Sequence, residues 1–295
     1  MIDRSTATDA ASSTASATIQ PPSKPISADG GGSNRRLAGR LWIDQPRDGV
    51  TNMAIDQALL ESLVDEPVLT LRLYRWARPT VSLGYFQRHA ELAEREELRG
   101  VDRVRRGSGG GAIVHDREWT YTLAVPRAAY PCDPDCFYTD VHDAFADALK
   151  DAGVNARRHQ RSPAPASGSA ATEGHPESNA KHDEPFHCFA RRTADDLVFR
   201  GYKILGSAQR RSVGGLIQHG SLLCRASPFA PALPGIEDLC GTVLGEPFFN
   251  RNLPGRLGVA LGVNWSPGKP AAELFTAAEQ ISRTRYGNPR WLERR

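Results

Sequence analysis

The stretch Phe186 to Cys224, FHCFARRTADDLVFRGYKILGSAQRRSVGGLIQHGSLLC, holds a thiol and an ammonium group close together. Cys188 sits among His187, Arg191 and Arg192, ahead of two short apolar-rich runs, Leu197 to Phe199 and Tyr202 to Leu205. Arg200-Gly201 between them reads as a two-residue hairpin turn, because such turns need positive φ and glycine adopts it readily. Alternation along the second strand sends Lys203 to the opposite face from Tyr202 and Ile204, giving one apolar face and one that carries a charge. A cysteine attacks only as its thiolate, and neighbouring cations lower the ~8.5 pKa of a free thiol. Lys203, Arg191, Arg192 or His187 could therefore activate Cys188. A second reading stays open: free cysteine is among the most buried residue types, and a strand lysine is often merely solvated.

RRGSGGGAIVHD, residues 105 to 116, is the next stretch able to do chemistry. Consecutive glycines let the backbone run close to a ligand with its amide hydrogens outward, which suits a phosphate or an acyl carbonyl. It is not a Walker loop, which needs Gly-Lys and then Ser or Thr where Ala112 stands here. A plain turn between two strands competes with the ligand reading. His115 and His219 could act as acid-base groups or could satisfy carbonyls beside tight turns. The five cysteines, at 132, 136, 188, 224 and 240, are an odd number in a chain too long to need staples. Reduced thiols and a cytoplasmic location are the natural expectation. Cys132 and Cys136, spaced C-x3-C, could open a zinc site, but no second pair follows. Cys224 and Cys240 lie in apolar or loop surroundings and read as unreactive.

The elements that must position these groups start near Arg40. Leu41 to Ile43 predicts a strand, and Asn52 to Val64 predicts a helix with apolar residues at 53, 55, 59, 60 and 63. Leu69 to Trp76 alternates as a half-buried strand does, Pro79 interrupts, and Thr80 to Leu83 predicts the next strand. Glu91 to Leu98 predicts a short charged helix. Val101 to Arg106 leads into the glycine turn, and Ala112 to Val114 and Tyr121 to Val125 read as paired strands. Asp140 to Gly153 predicts a helix ended by its glycine. Strands with irregularly interspersed helices imply an α+β domain, a mixed β-sheet flanked by helices on one side.

The chain has 295 residues, 40% of them hydrophobic, enough for one full core of about 200 to 250 residues. A formal net charge of +3, with no basic stripe and no interleaved aromatics, argues against nucleic acid. A mildly positive surface still suits an acidic protein partner. No apolar run is long enough to span a membrane. Residues 1–38, rich in Ser, Thr, Ala, Pro and Gly, lack the apolar centre of a secretory signal and read as a disordered tail ahead of a domain over 39–295. A second low-complexity segment at about 161–185 reads as an insertion ending just before Cys188.

RRGSGGGAIVHD resembles the signature of the lipoate protein ligase and octanoyltransferase family, which shares a catalytic domain with biotin protein ligases. GYKILGSAQRR resembles that family's lysine motif, and IQHGSLL the strand that follows it. NMAIDQALL and YRWARPTVSLGYFQ resemble the helix and strand pair ahead of the glycine loop, so the likeness runs over roughly 40–292 with motifs in order. The resemblance implies a biotin/lipoate protein ligase type of catalytic domain. It also implies substrate-binding positions at Arg106, Ser108, Gly109, Gly110, Gly111, His115, Gly206, Ser207, Ala208, His219 and Gly220, with Arg75 and Trp76 either lining an acyl pocket or packing the sheet.

Within that family, ligases activate free lipoate with ATP and magnesium, whereas one transferase branch moves octanoate from acyl carrier protein through an enzyme cysteine and needs no cofactor. Cys188-Phe189 resembles that branch's Cys-Phe pair, and HDREWTYTLAVP at 115 to 126 its His-Asp-x-Glu-x-Thr-Tyr pattern. The chain ends in GNPRWLERR, without the extra C-terminal domain many ligases carry. One departure is Gly111, where many of these transferases have arginine and ligases more often a third glycine. The resemblance thus implies octanoyl transfer from acyl carrier protein, by way of Cys188 with Lys203 as cation, to lipoyl domains of 2-oxoacid dehydrogenases or the glycine cleavage H protein. An ATP-dependent ligase, with Lys203 and the glycine loop holding lipoyl adenylate, and a non-catalytic lipoyl-domain binding module are the alternatives.

Overall fold

The run LAGRLWI forms strand β1 (Leu37–Ile43), and its alternate side chains enter two different cores, Leu41 on one face of a sheet and Trp42 on the other. The same happens in β2 (Thr70–Tyr74), where Leu71 and Leu73 face one core and Tyr74 the other. These strands belong to a computed structural model that describes residues 36–129, 133–159 and 185–295. The chain order continues through α1 (Gly49–Ser62), β3 (Thr80–Leu83), β4 (Asp102–Arg105), β5 (Ile113–His115), β6 (Glu118–Pro126), α2 (Pro134–Asp151) and β7 (Arg157–Arg158). It then runs through β8 (Leu197–Phe199), β9 (Tyr202–Arg211), β10 (Gly215–Leu223), α3 (Ile236–Cys240), α4 (Leu253–Ala260), β11 (Val263–Pro267), α5 (Ala272–Ile281) and α6 (Pro289–Leu292).

Eight strands form one mixed sheet in the order β11-β1-β2-β6-β10-β9-β8-β7, and β4-β3-β5 form a smaller one. In the large sheet β1 runs parallel to both its neighbours, and the other pairings are antiparallel. Helices α2 and α4 cover the Leu71 face, while α1 and α5 cover the Trp42 face. The α+β class and the mixed sheet hold, but helices lie on both sides rather than one. The physical reason is visible in β2. Its apparent polar face includes Arg72, which is fully buried because Asp44 and Asp56 bind its guanidinium at 2.8 and 2.7 Å. A charge met by two carboxylates can be interior, so alternation there does not mark a solvent face.

Two further expectations change. The segment 91–98 is two 3-10 turns, His89–Leu92 and Glu96–Leu98, held by Leu92 and Leu98, which are spaced too widely for one helical stripe. Strand β5 pairs with β3 in the small sheet, while β6 lies between β2 and β10, so the strands at 112–114 and 121–125 are not partners. Both alternate, and alternation does not encode which strand is the neighbour. The helix expected from Asp140 starts a turn and a half earlier, where Asp133 caps it and Pro134 occupies its first turn, and it ends before Gly153 at φ +80°. The expected tail over 1–38 and insertion at 161–185 fall outside the described residues, except for 36–38 and Pro185. Cys132 lies outside them as well, and among the described residues no cluster of His, Cys, Asp or Glu could hold a metal. No helix among them is long and apolar enough to cross a membrane.

Candidate active site

The hairpin β8–β9 turns at Arg200 and Gly201, both at positive φ (47° and 84°), and β9 then carries Lys203 inward while Tyr202 is exposed. Beside it, a 3-10 turn starts at Cys188 and is pinned to the glycine loop: the Cys188 amide donates to the Ala112 carbonyl, and the Ala112 amide to that of Phe186, both at 2.8 Å. Lys203 Nζ lies 3.8 Å from Cys188 Sγ and 3.4 Å from the Cys188 carbonyl. Its closest partner is a residue the sequence reading did not single out, Asp196, whose Oδ2 lies 2.9 Å away. Both side chains of that pair are almost fully withdrawn from water. Gly206 makes room for the lysine, since a Cβ there would stand 2.4 Å from Lys203 Cε.

The consecutive arginines ahead of the loop act as staples in two directions. Arg105 donates to the carbonyls of Gly84 and Gln87 and to that of Leu292 in α6. Arg106 turns the other way, donating to the carbonyls of Ser82, Gly109 and Gly111 at 2.7 to 2.9 Å. Gly111 faces the Cys188 turn so closely that a Cβ would be 2.8 Å from the Cys188 nitrogen and 2.9 Å from the Phe186 oxygen. Any side chain at this position would therefore press on the chain's own backbone.

Cys188, Lys203, Arg106, Gly109, Gly110, Gly111, His115, Gly206, Ser207, Ala208, His219 and Gly220 line one cavity of about 290 Å³, with Met53, Tyr74, Trp76, Ile113 and Tyr138 supplying its apolar and aromatic walls. Ser108 is not in its lining but holds His219 from behind, its hydroxyl 2.7 Å from Nε2, while His219 Nδ1 faces Asp56 at 3.4 Å. Arg75 is elsewhere: just past the end of β2, its exposed side chain lines a separate depression with Trp119 and Cys224, whereas the next residue, Trp76, is buried. Trp76 stacks on His115 with ring centres 3.8 Å apart. His115 donates through Nδ1 to Glu118 at 2.5 Å and accepts the Ser82 hydroxyl at 2.7 Å. Of the cations expected around Cys188, His187 is held mainly neutral by burial and by Arg95, and exposed Arg192 binds the Gly201 carbonyl in the hairpin turn. Burial pushes the Cys224 thiol up to about 12, so it stays protonated.

Buried polar groups missed in the sequence support the site, Tyr138 in the cavity wall and His142 and Asp56 behind it. His142 of α2 donates to the Asp195 carbonyl and accepts the Ser207 hydroxyl at 2.6 and 2.7 Å, and burial lowers its pKa to about 4. The Tyr138 hydroxyl donates to the Ser207 carbonyl and accepts its amide. Burial works against the Asp56 carboxylate, but His219 and Arg72 outweigh it and leave its pKa below the usual value. The one signal for Asp56 was a carboxylate inside an otherwise apolar helical pattern; Tyr138 and His142 had none.

The lipoyl protein ligase A/B catalytic domain matches residues 48–233 of this chain. The chain belongs to that family. It carries the catalytic domain of an enzyme, and the cavity lies within the matched span. An octanoyltransferase LipM of Kyrpidia tusciae is 31% identical over 265 residues, covering 78% of this chain and 89% of that protein. The LipM of Moorella thermoacetica is 35% identical over 192 residues, covering 62% of this chain and 64% of its own length. Among solved structures, lipoate-protein ligase A bound with ATP superposes with a TM-score of 0.65 at 18% identity over 87% of this chain and 99% of that one. A bipartite lipoate protein ligase of Thermoplasma acidophilum gives 0.66 at 17% identity, over 87% and 96%. The structural likeness shows that the family fold is present here.

Proposed function

We propose that this enzyme transfers an octanoyl group to the lysine of a lipoyl domain through a thioester on Cys188. The observation that carries the reading is the Cys188 sulfur beside Lys203 Nζ at an apolar-walled cavity, and the octanoyltransferase relatives support it. In the first step the Cys188 thiolate attacks the octanoyl thioester of an acyl carrier protein. The carrier's thiolate leaves and picks up a proton, and octanoyl-Cys188 remains. Exchange between thioesters is close to thermoneutral, so no ATP is needed. In the second step the neutral amine of the target lysine attacks the thioester carbonyl, the C–S bond breaks, the Cys188 thiolate returns, and the amine releases its proton as the amide forms. An amide is more stable than a thioester, which drives this step.

Lys203 Nζ lies 3.8 Å from the sulfur, and it positions the thiolate and meets the oxyanion, with amides of Gly206 to Ala208 or of the glycine loop as further donors. Losing one such donor typically costs on the order of 3 kcal/mol of barrier. Acidic acyl carrier protein suits the mildly positive chain. Incubation with octanoyl carrier protein followed by mass spectrometry tests the reading. An octanoyl adduct on the Cys188 peptide that disappears in Cys188→Ala is expected. Retained transfer by Cys188→Ala that depends on ATP and free lipoate would replace the reading with a ligase.

A further inference from the structure

Lys203 is the obvious source of positive charge for the Cys188 thiolate, yet its charge is already met by Asp196 at 2.9 Å in a site closed to water. A paired ammonium is a hydrogen-bond donor but a weak net field. The other groups around the sulfur do not supply one either. His187 and His142 are pushed toward their neutral forms mainly by burial, and the Tyr138 phenol is held protonated by the same cause. Arg191, at the cavity edge, is only half-buried, its Nε donating to the Pro185 carbonyl at 2.7 Å, so water reaches it and weakens its field more than that of a fully buried cation.

Arg106 differs from all of these. It is 4% exposed, and among the described residues its Nη atoms meet only the carbonyls of Ser82, Gly109 and Gly111 and the Ser82 hydroxyl. No carboxylate pairs with it among the described residues. Among the described residues, Glu118 is connected to it through the Ser82 hydroxyl and the His115 imidazole, with no direct contact. A Cβ placed on Gly110 would lie 2.9 Å from Arg106 Nη2 and 3.8 Å from Cys188 Sγ, so the two atoms are no farther apart than those lengths laid end to end. Burial lowers the Arg106 pKa to about 10, with Cys188 acting in the opposite direction.

We propose that Arg106, held by the glycine-loop carbonyls, is the counter-ion that keeps Cys188 ionised, while Lys203 positions the sulfur as a hydrogen-bond donor. Carbonyl oxygens orient a guanidinium without neutralising it, so the loop can hold a net positive charge against the nucleophile. At this separation in a poorly solvated site, a unit charge moves a thiol pKa by roughly one to two units. The proposal builds on the thioester reading, but it concerns the ionisation of the free enzyme and can be tested without acyl transfer.

The test is the pH dependence of iodoacetamide alkylation at Cys188 in the full chain, followed on the Cys188 peptide by mass spectrometry. Arg106→Gln is expected to raise the apparent thiol pKa by about one unit or more, roughly tenfold slower alkylation at pH 7, and Arg106→Lys to restore most of it. Lys203→Gln is expected to move it less. A thiol pKa unchanged in Arg106→Gln but raised in Lys203→Gln overturns the proposal. Should Arg106→Gln fail to fold, NMR of guanidine-labelled wild-type chain decides. The Arg106 resonance is expected to shift with the Cys188 titration and not in Cys188→Ala, and a resonance that ignores the titration overturns the assignment. Failure of octanoyl transfer with a normal alkylation profile would count against the thioester route and leave the Arg106 assignment standing.

Discussion

Lys203 and Asp196 are both closed off from water, and a buried ion pair is costly to break from one side only. Asp196→Ala leaves an ammonium with no counter-charge, so a loss of roughly 3–5 kcal/mol in urea unfolding is expected. Replacing both residues together with apolar ones of similar size should recover much of that stability but no transferase activity. At Gly111 the constraint is steric. A methyl group would press on the Cys188 nitrogen and the Phe186 oxygen, which are backbone atoms with little freedom to retreat. Gly111→Ala should therefore cost roughly 1–3 kcal/mol and slow alkylation of Cys188, because the turn that carries it has to shift. Unchanged stability and reactivity would show that the loop and the turn are not rigidly packed.

The hairpin β8–β9 sets the reach of Lys203 through two residues with positive φ, and Arg200 is the only non-glycine residue with positive φ among those described. A turn of this hand favours Asn or Gly at its first position. Arg200→Asn should raise stability by roughly 0.5–1 kcal/mol, read as a higher Tm, provided the Arg200 bond to the Leu239 carbonyl contributes little at the exposed surface. A fall in Tm would assign that bond a larger share than the backbone strain. The nine-residue register between β6 and β10, running from Glu118 against Leu223 to Pro126 against Gly215, carries Thr120 and Ser221 to the cavity wall, where both hydroxyls donate to Glu118 behind it. Hairpin and ladder together bring groups from distant parts of the sequence to one place.

Across the whole molecule, stability should depend on mildly acidic pH through the buried imidazoles. The folded-state pKa of His142 is about 4 against an ordinary 6.5, because burial disfavours its charged form. Between those values the unfolded chain binds more protons than the folded one, so stability rises with pH across that window. It is complete above about 6.5 and declines as pH falls toward 4, by on the order of 3 kcal/mol from this residue alone. His187 acts in the same direction. Urea unfolding at pH 7.5 and 4.5 checks this, with a smaller difference expected in His142→Asn. An equal difference in that variant would locate the acid sensitivity elsewhere.

Much of the site was legible in local sequence because its determinants are local. The Arg-Gly turn, the alternation that separates Lys203 from Tyr202, the run of glycines and the cysteine just upstream each follow from a few neighbouring residues, and the family fold came with them. What no local pattern contains is pairing across the chain. That β5 joins β3 and not β6, that helices cover both faces of the sheet, and that Arg72 is interior all depend on groups far apart in sequence meeting one another. The same holds for charge. From the sequence, Lys203 and Arg106 are both simply cations, and only the tertiary structure decides that a carboxylate neutralises the first while carbonyl oxygens leave the second with its charge, since compensation depends on distance in space.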